Sequence, residues 1–597
     1  MGQTPTKVSK DDIRGNTKEE EKPLVVVAID FGTTYTGYAF SLVRSPTQIY
    51  TGKYKNKLVE DREPTTVLLK PDGSFDSFGY RAIQNYGHLS KEEQEHYRFF
   101  KTFKMALHNK TDLSHDTMIK DVRKREFSAA KVFSYVIEYL KSLAVSVMQE
   151  DTTDLKENDI QWMISIPAIW SDSCRQFMRE AATSAGISEK KLRLVLEPEA
   201  ASMYCRERLM VATGAASIDE LPVGYKYILA DLGGGTADIC AHEIIEGAKL
   251  RELYRASGGD FGGNKVDLEF YKFIINLVGG PVWTIFQDDY MPLSFEFMKE
   301  FEAKKKTFTS DVQTVSLKLE NALLEILKTE TGETLEETLS QMTSRYKGKL
   351  SYKRVDQRLE IKGDIMADFF KDSVDGVISK IKEILGVCGD VQTLLLVGGF
   401  AESQYLRERI QAKIKNVRIL LEQDARLAVM KGAVLMGYKP RNIIERRTWY
   451  TYGFSKVRLF QRGTDPEDLK VKKEDGKEYC DGLFDIQIEK GQVVKYDEMF
   501  PSSTIELLKD QASRKNTITI ELWKSNRKTP RYCTEEEECS RIAEIVMKPP
   551  PKGWPERIRI ERQLVMGETE LQIQIKNATT GEKYETRLDF LEVNKTL

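Results

Sequence analysis

Leu24-Val25-Val26-Val27-Ala28-Ile29-Asp30-Phe31-Gly32-Thr33-Thr34-Tyr35 and, near the middle of the chain, Tyr227-Ile228-Leu229-Ala230-Asp231-Leu232-Gly233-Gly234-Gly235-Thr236-Ala237-Asp238 follow one plan. Each begins as a run of apolar residues long enough for a buried strand, ends it on an aspartate and turns through glycine and threonine. Each then returns as a second strand, Tyr35 to Phe40 or Ala237 to His242. Their separation is too long for a solenoid repeat and points to a long-period duplication. A third strand, Thr393 to Val397, runs into Gly398-Gly399-Phe400-Ala401-Glu402, then into a helical pattern from Ser403 to Lys415 with Leu406, Ile410 and Ile414 on one face. An aspartate at the end of a buried strand, followed by glycine and hydroxyl residues, suits a metal–polyphosphate site. Glycine lets backbone N–H groups reach phosphate oxygens, and the carboxylate holds Mg2+ directly or through water. No G-x-x-x-x-G-K-[ST] loop occurs, so these turns are not P-loops.

Working outward, amphipathic helical patterns cover Ala129 to Gln149, Ser173 to Ala185 and Glu296 to Lys306. Strands alternating with helices imply an α/β architecture with ligands at the strand carboxyl ends. After about Arg441 the period changes to two: Phe484 to Ile488, Thr504 to Leu507, Thr517 to Leu522 and Leu571 to Ile575 each alternate as half-buried antiparallel strands do. Lys548 to Pro555 (KPPPKGWP) reads as a rigid connector. The expected organisation is a disordered leader at 1–23, α/β units at 24–222 and 223–440, and a β-rich unit at 441–597, in keeping with the roughly four domains that the length of 597 suggests.

The formal net charge of −2 offers no global field for nucleic acid. Seven cysteines without a CxxC pair and five histidines without an H-x-x-x-H pair leave no zinc or disulfide framework, so a reducing, cytoplasmic setting is expected. No stretch is long and apolar enough to span a bilayer. The start, Met1-Gly2-Gln3-Thr4-Pro5-Thr6, matches an N-myristoylation pattern, which at Gly2 would give only weak anchoring. The sequons at Asn109, Asn577 and Asn594 are expected to be unused.

The motifs together resemble the heat shock 70 kDa protein family. Asp30 to Tyr35 and Asp231 to Asp238 look like its two phosphate loops. Ile164-Ser165-Ile166-Pro167-Ala168 with Arg175-Gln176, Leu196-Glu197-Pro198-Glu199-Ala200-Ala201, Gly258 to Gly263, Glu302 to Thr309, Val397-Gly398-Gly399 and Ala428 to Ala433 follow in family order. The match runs from about Leu24 to Gly437, and its divergences, with Lys101 to Met105, look most like the atypical 12A/12B branch. The resemblance implies duplicated actin-like ATPase (ribonuclease H-like) lobes with a β-sandwich-like domain behind them.

It also implies ATP or ADP with Mg2+ as ligands, and roles for particular residues. Asp30 and Asp231 would position Mg2+, mainly through water. Gly32, Thr33, Thr34, Tyr35, Gly233, Gly234, Gly235 and Thr236 would hold phosphates. Lys101 would meet the γ-phosphate, with Lys104 as a possible substitute, and Glu197 and Asp238 would orient water. Gly263, Glu302, Lys305, Lys306, Thr309, Gly398, Gly399 and Phe400 would line the nucleoside side, although Glu302 to Lys306 also reads as a solvated helix face.

The chain also departs from the family. Phe400 and Glu402 replace a Ser and an Arg beside adenosine, and Arg426 replaces an Asp, so base and ribose contacts differ. Where the family has an acidic, Leu-rich linker coupling ATP state to substrate release, this chain reads Lys439-Pro440-Arg441-Asn442-Ile443-Ile444-Glu445-Arg446-Arg447, so that coupling is absent or rebuilt. The helical lid and the acidic co-chaperone tail are not found. Three readings remain open: a slow ATPase acting as a chaperone on unfolded peptides or client proteins, a nucleotide-sensing adaptor with incidental hydrolysis, and an actin-superfamily small-molecule kinase.

Overall fold

The computed structural model describes residues 23–587 apart from 53–60, 109–112, 152–154, 344, 439–442, 474, 496–497, 509–512, 567–570, 580 and 582. The acylation motif at Gly2, nearly all of the 1–23 leader and the sequons at Asn109 and Asn594 lie outside the described residues. Asn577 is fully buried, which closes its sequon to a glycosyl donor. No helix among the described residues is long and apolar enough to cross a membrane.

Val25–Asp30 is buried at every position, because both faces of its sheet are covered; hence a continuous apolar run instead of an alternation. It pairs antiparallel with Tyr35–Leu42 and parallel with Ile160–Ile166, which in turn pairs parallel with Leu192–Leu196. Lys226–Leu232 has the same surroundings: antiparallel to Ala237–Ile245, parallel to Thr393–Val397, with Arg418–Leu421 parallel beyond. Asp30 lies opposite Ser165 and Asp231 opposite Val397, so both acids occupy carboxyl ends of parallel strands. Lys226–Leu232 divides its side chains between two cores. Tyr227 and Leu229 enter that of the six-stranded sheet, and Ile228, Ala230 and Leu232 the other, as the two-residue strand period requires.

The helical patterns materialise as Ala129–Asp151, Asp172–Ser184 and Gln404–Lys413, while the charged pattern at 296–306 begins earlier, as Met291–Thr307 with a proline in its first turn. The two sheet systems meet where helix Ala428–Tyr438 packs on helix Glu197–Tyr204. A Cβ at Gly432 would lie 1.7 Å from the Ala200 carbonyl oxygen, so only glycine permits this approach.

Beyond these, the strands are ordered Lys470–Lys472, Glu478–Ile488, Thr451–Leu459, Ile518–Ser525, Cys539–Met547 in one sheet, and Ser503–Leu508, Arg557–Met566, Leu571–Asn577, Lys583–Arg587 in another. Their inward residues, among them Phe454, Ile520, Leu522, Ile560, Leu564 and Ile573, form one core. Arg562 crosses it, 2% exposed, to reach Asp485 of the other sheet at 3.0 Å, with its guanidinium 4.3 Å from the Phe454 ring centroid. In the KPPPKGWP connector, Trp554 is buried and donates its indole N–H to the Asn516 carbonyl at 2.8 Å. Among the described residues, every helix after Tyr438 is a single 3-10 turn.

The seven-stranded sheet does not stop at residue 440. Ile443–Arg447 adds to it parallel to Lys249–Gly259, and Val493–Lys495 adds antiparallel to Ile443–Arg447. The segment that replaces the expected linker is therefore an internal strand.

Glu63, in the short strand Glu63–Pro64, is buried, and burial pushes its carboxyl up to about 7, against a smaller opposing effect of the Tyr80 backbone N–H. A raised folded-state value means that the folded protein binds the proton more tightly than the unfolded chain does. This contribution is complete below about 4.5 and is lost as pH rises through 7. Glu63→Gln is expected to match wild type in Tm at pH 5 and to exceed it at pH 8; a difference that stays flat across thermal melts from pH 5 to 8 contradicts the assignment.

Candidate functional site

The two aspartate turns face each other across a cavity of about 280 Å3. They interlock closely: a Cβ at Gly234 would lie 2.1 Å from Thr34 Oγ1, and one at Gly235 would lie 2.9 Å from Thr33 Oγ1. The third turn closes on the second. Gly398 has φ +87°, and a Cβ there would meet Asp231 Oδ1 at 2.5 Å. Glycine is thus required on two grounds, backbone conformation and space.

The cavity gathers residues from three distant parts of the chain. Asp30, Gly32, Thr33, Thr34 and Tyr35 come from the first turn; Asp231, Gly233, Gly234, Gly235 and Thr236 from the second; Gly398, Gly399 and Phe400 from the third. Glu197, Gly263, Glu302, Lys305 and Lys306 complete the sequence-derived set. Asp238 lies behind Thr236, whose hydroxyl donates to its Oδ2 at 3.0 Å, and is 1% exposed.

Two expected residues are elsewhere. Lys101 ends the strand Arg98–Lys101 with its side chain exposed and off the cavity. Thr102 then takes φ +51°, the chain turns, and Lys104 enters the cavity wall, 4% exposed, with its Nζ 2.9 Å from Glu197 Oε1. Thr309, just past helix Met291–Thr307, lies off the cavity and donates its hydroxyl to Asp311.

Asp30, Glu197 and Asp231 line the floor, with Asp238 just behind it. Burial pushes Asp231 well above the usual carboxylate range, and the charges of Glu197, Asp238 and Asp30 push the same way. Glu197 is pushed up to about 7 by burial, with Lys104 opposing, and Asp238 up to about 6 by burial, with the Thr236 hydroxyl opposing. Asp238 Oδ1 is buried without a hydrogen-bond partner. A recess of this kind favours a cation. No group of three or more His, Cys, Asp or Glu side chains among the described residues forms a metal-binding cluster. The oxygen donors Asp231 and Asp238 are of the kind that would hold a hydrated Mg2+ through its waters.

At the other end the charges are largely paired. Lys305 Nζ reaches both oxygens of Asp267, at 2.6 and 2.7 Å, and donates to the Gly263 carbonyl at 3.2 Å. Lys306 lies 4.0 Å from Glu302 and 3.7 Å from Glu402. Tyr35 donates its hydroxyl to Glu302 at 2.9 Å, linking the first turn to this helix. Phe400 is buried toward Phe370, with ring centroids 6.4 Å apart. Sequence reasoning missed Arg62, Asn264, Asp267 and Lys299, all on the cavity wall. Asp267 is one helical turn after Gly263 and was accessible to an i, i+4 reading; Arg62 belongs to no motif.

Fold and cavity define the class: an actin-like, mixed α/β body with a cavity between its sheets. The family model described as Hsp70 protein matches residues 86–443. The chain is 30% identical to mouse "Heat shock 70 kDa protein 12A", covering 96% of this chain and 92% of that protein. It is 29% identical to human "Heat shock 70 kDa protein 12B", covering 98% and 94%. It is 24% identical to "Chaperone protein HscA homolog" of Rickettsia prowazekii, covering 72% and 59%. The chain belongs to the Hsp70 family, a family of nucleotide-binding ATPases, and is similar over nearly its whole length to the 12A and 12B members.

Proposed function

We propose that the chain binds ATP·Mg between two duplicated actin-like lobes, at about 24–222 and 223–440, hydrolyses it slowly, and works as a cytoplasmic chaperone-like protein whose β-sandwich-like region, 441–597, is a divergent substrate-binding unit. The observation that carries this reading is the interlocking of two Asp–Gly–Thr turns over the Asp30, Asp231 and Glu197 carboxylates and Lys104. In the cleavage, water adds to the γ-phosphorus and ADP leaves. Backbone N–H groups of Gly32, Gly234 and Gly235, with the hydroxyls of Thr33, Thr34 and Thr236, cradle the phosphates, while the Gly233 N–H closes its own turn on the Thr236 carbonyl. Lys104 faces the transferred group. Glu197, held by Lys104, orients the attacking water, and Asp231 and Asp238 would hold a hydrated Mg2+ through its waters. Bound Mg2+ supplies charge neutralisation at the phosphates. Glu302 and Lys306 face the nucleoside.

Single-turnover ATP hydrolysis by the full chain tests this reading. Asp231→Ala is expected to slow the step by about a hundredfold or more, the scale of a lost electrostatic group. A wild-type rate equal to the variant's would sink the ATPase reading. Acceleration by an unfolded peptide supports the chaperone role.

A nucleotide-sensing adaptor is the second reading, favoured by one observation: the connector is an internal strand of the seven-stranded sheet. Nucleotide binding without any response of hydrolysis to peptide supports it.

A further inference from the structure

Arg62 enters the cavity from just before the strand Glu63–Pro64, in a stretch without recognisable motif. Its Nη2 donates to the Tyr35 carbonyl at 2.6 Å and lies 3.1 Å from Asp30 Oδ2. Its Nη1 donates to the Arg426 carbonyl at 2.8 Å, on the far side of the cavity. A Cβ at Gly32 would lie 2.7 Å from Nη2, so the guanidinium rests directly on the first glycine turn. Its Nε is buried without a partner.

The consequence for Asp30 separates it from the other acids of the floor. Ser165 donates to its Oδ1 at 2.8 Å, and Arg62 holds Oδ2, so both oxygens are taken by protein donors. Asp238 Oδ1, in the same recess, has none. Asp238 therefore keeps an oxygen open to a cation, while each Asp30 oxygen already holds a protein donor. A guanidinium is charged at every working pH, and its planar fork matches phosphate oxygens as well as carboxylates. Bonds to Tyr35 on one side and Arg426 on the other hold it in place without nucleotide.

We infer that Arg62 is a fixed counter-ion of the phosphate site: by neutralising Asp30 it removes, at that turn, negative charge that a hydrated divalent ion would otherwise have to offset. Nucleotide binding to this chain consequently depends only weakly on divalent metal. The inference rests on the nucleotide reading above, and its test separates the two.

The test is ADP affinity of the full chain, measured by titration calorimetry in Mg2+ and in EDTA, for wild type, Arg62→Gln and Arg62→Lys. Wild type is expected to lose no more than about fivefold in EDTA. Loss of a charge-assisted contact is worth about tenfold to a hundredfold in affinity. Arg62→Gln is therefore expected to weaken ADP by that amount in EDTA and by much less in Mg2+, so that the EDTA-to-Mg2+ ratio of Kd rises about tenfold. Arg62→Lys, which keeps the charge but loses the fork, falls between. Wild-type binding that collapses by more than a hundredfold in EDTA overturns the inference and leaves the nucleotide reading standing. An unchanged ratio in Arg62→Gln does the same, since a merely structural arginine weakens both conditions equally. No ADP binding by wild type in either condition removes the nucleotide reading, and this inference with it. The wild-type ratio decides the matter even if Arg62→Gln fails to fold.

Discussion

Lys104→Met is expected to slow single-turnover ATP hydrolysis by about a hundredfold or more, while Lys101→Met stays within about twofold of wild type. The two lysines lie three residues apart in the same basic and aromatic stretch, and one turn separates their fates. Lys101 is exposed at the end of its strand and off the cavity; Lys104, past the left-handed Thr102, is buried against Glu197 at 2.9 Å with its ammonium 5.2 Å from the Trp170 ring centroid. Burial, helped by the charges of Asp238 and Asp30, pushes Glu197 up to about 7 even against the opposing Lys104 ammonium. Without that ammonium Glu197 becomes protonated at neutral pH and can no longer accept a hydrogen bond from the attacking water. The substitution therefore removes two contributions, the cation facing the phosphoryl group and the charged form of the water-orienting acid. ADP affinity and Tm measured beside the rate distinguish this from unfolding. A Lys104→Met rate within threefold of wild type, or a larger loss for Lys101→Met, rejects the assignment.

Arg446→Ala is expected to cost about 3 kcal/mol in chemical denaturation and to release the connector strand, read as faster hydrogen exchange at Glu445 and Arg447. Arg446 donates through Nε and Nη2 to the two oxygens of Glu199, both at 2.7 Å, in a bidentate pair whose acid is 6% exposed. The next backbone N–H, that of Arg447, donates to Glu252 at 3.1 Å. Burial raises Glu252, the Glu199 charge raises it further, and Arg446 opposes both. Removing the guanidinium leaves the mutually repelling charges of Glu199 and Glu252 without the cation that opposes them. Breaking a buried pair costs about 3–5 kcal/mol, and the 24% exposure of Arg446 puts this case at the low end. Arg446→Lys keeps the charge but not the bidentate geometry and is expected to recover only part of the loss. Unaltered exchange in the connector with a stability change below 0.5 kcal/mol refutes it. Glu199 stands two residues after Glu197 on helix Glu197–Tyr204, so the same element carries a cavity acid and the anchor of the connector.

The turns at Asp30, Asp231 and Gly398 were legible because each needs only local chemistry: an apolar strand, an acid at its end and glycine where no side chain fits. The family order and the change from α/β to period-two strands were legible for the same reason. The nucleoside end was only partly so. Lys305 and Lys306 reach the cavity as expected, but their partners Asp267 and Glu402 decide how much of their charge remains available.

By itself the sequence determined where the two aspartate-turn strands are, which acids close them, and that an α/β body precedes a β-rich region. Those properties follow from hydrophobic period and steric need within a dozen residues. Only the tertiary structure decided that Lys104 and not Lys101 meets Glu197, that Arg62 neutralises Asp30, and that Arg446 ties the connector to Glu199. Each is an ion pair between segments distant along the chain, and a charged side chain has no periodic pattern that shows which distant partner burial will force on it.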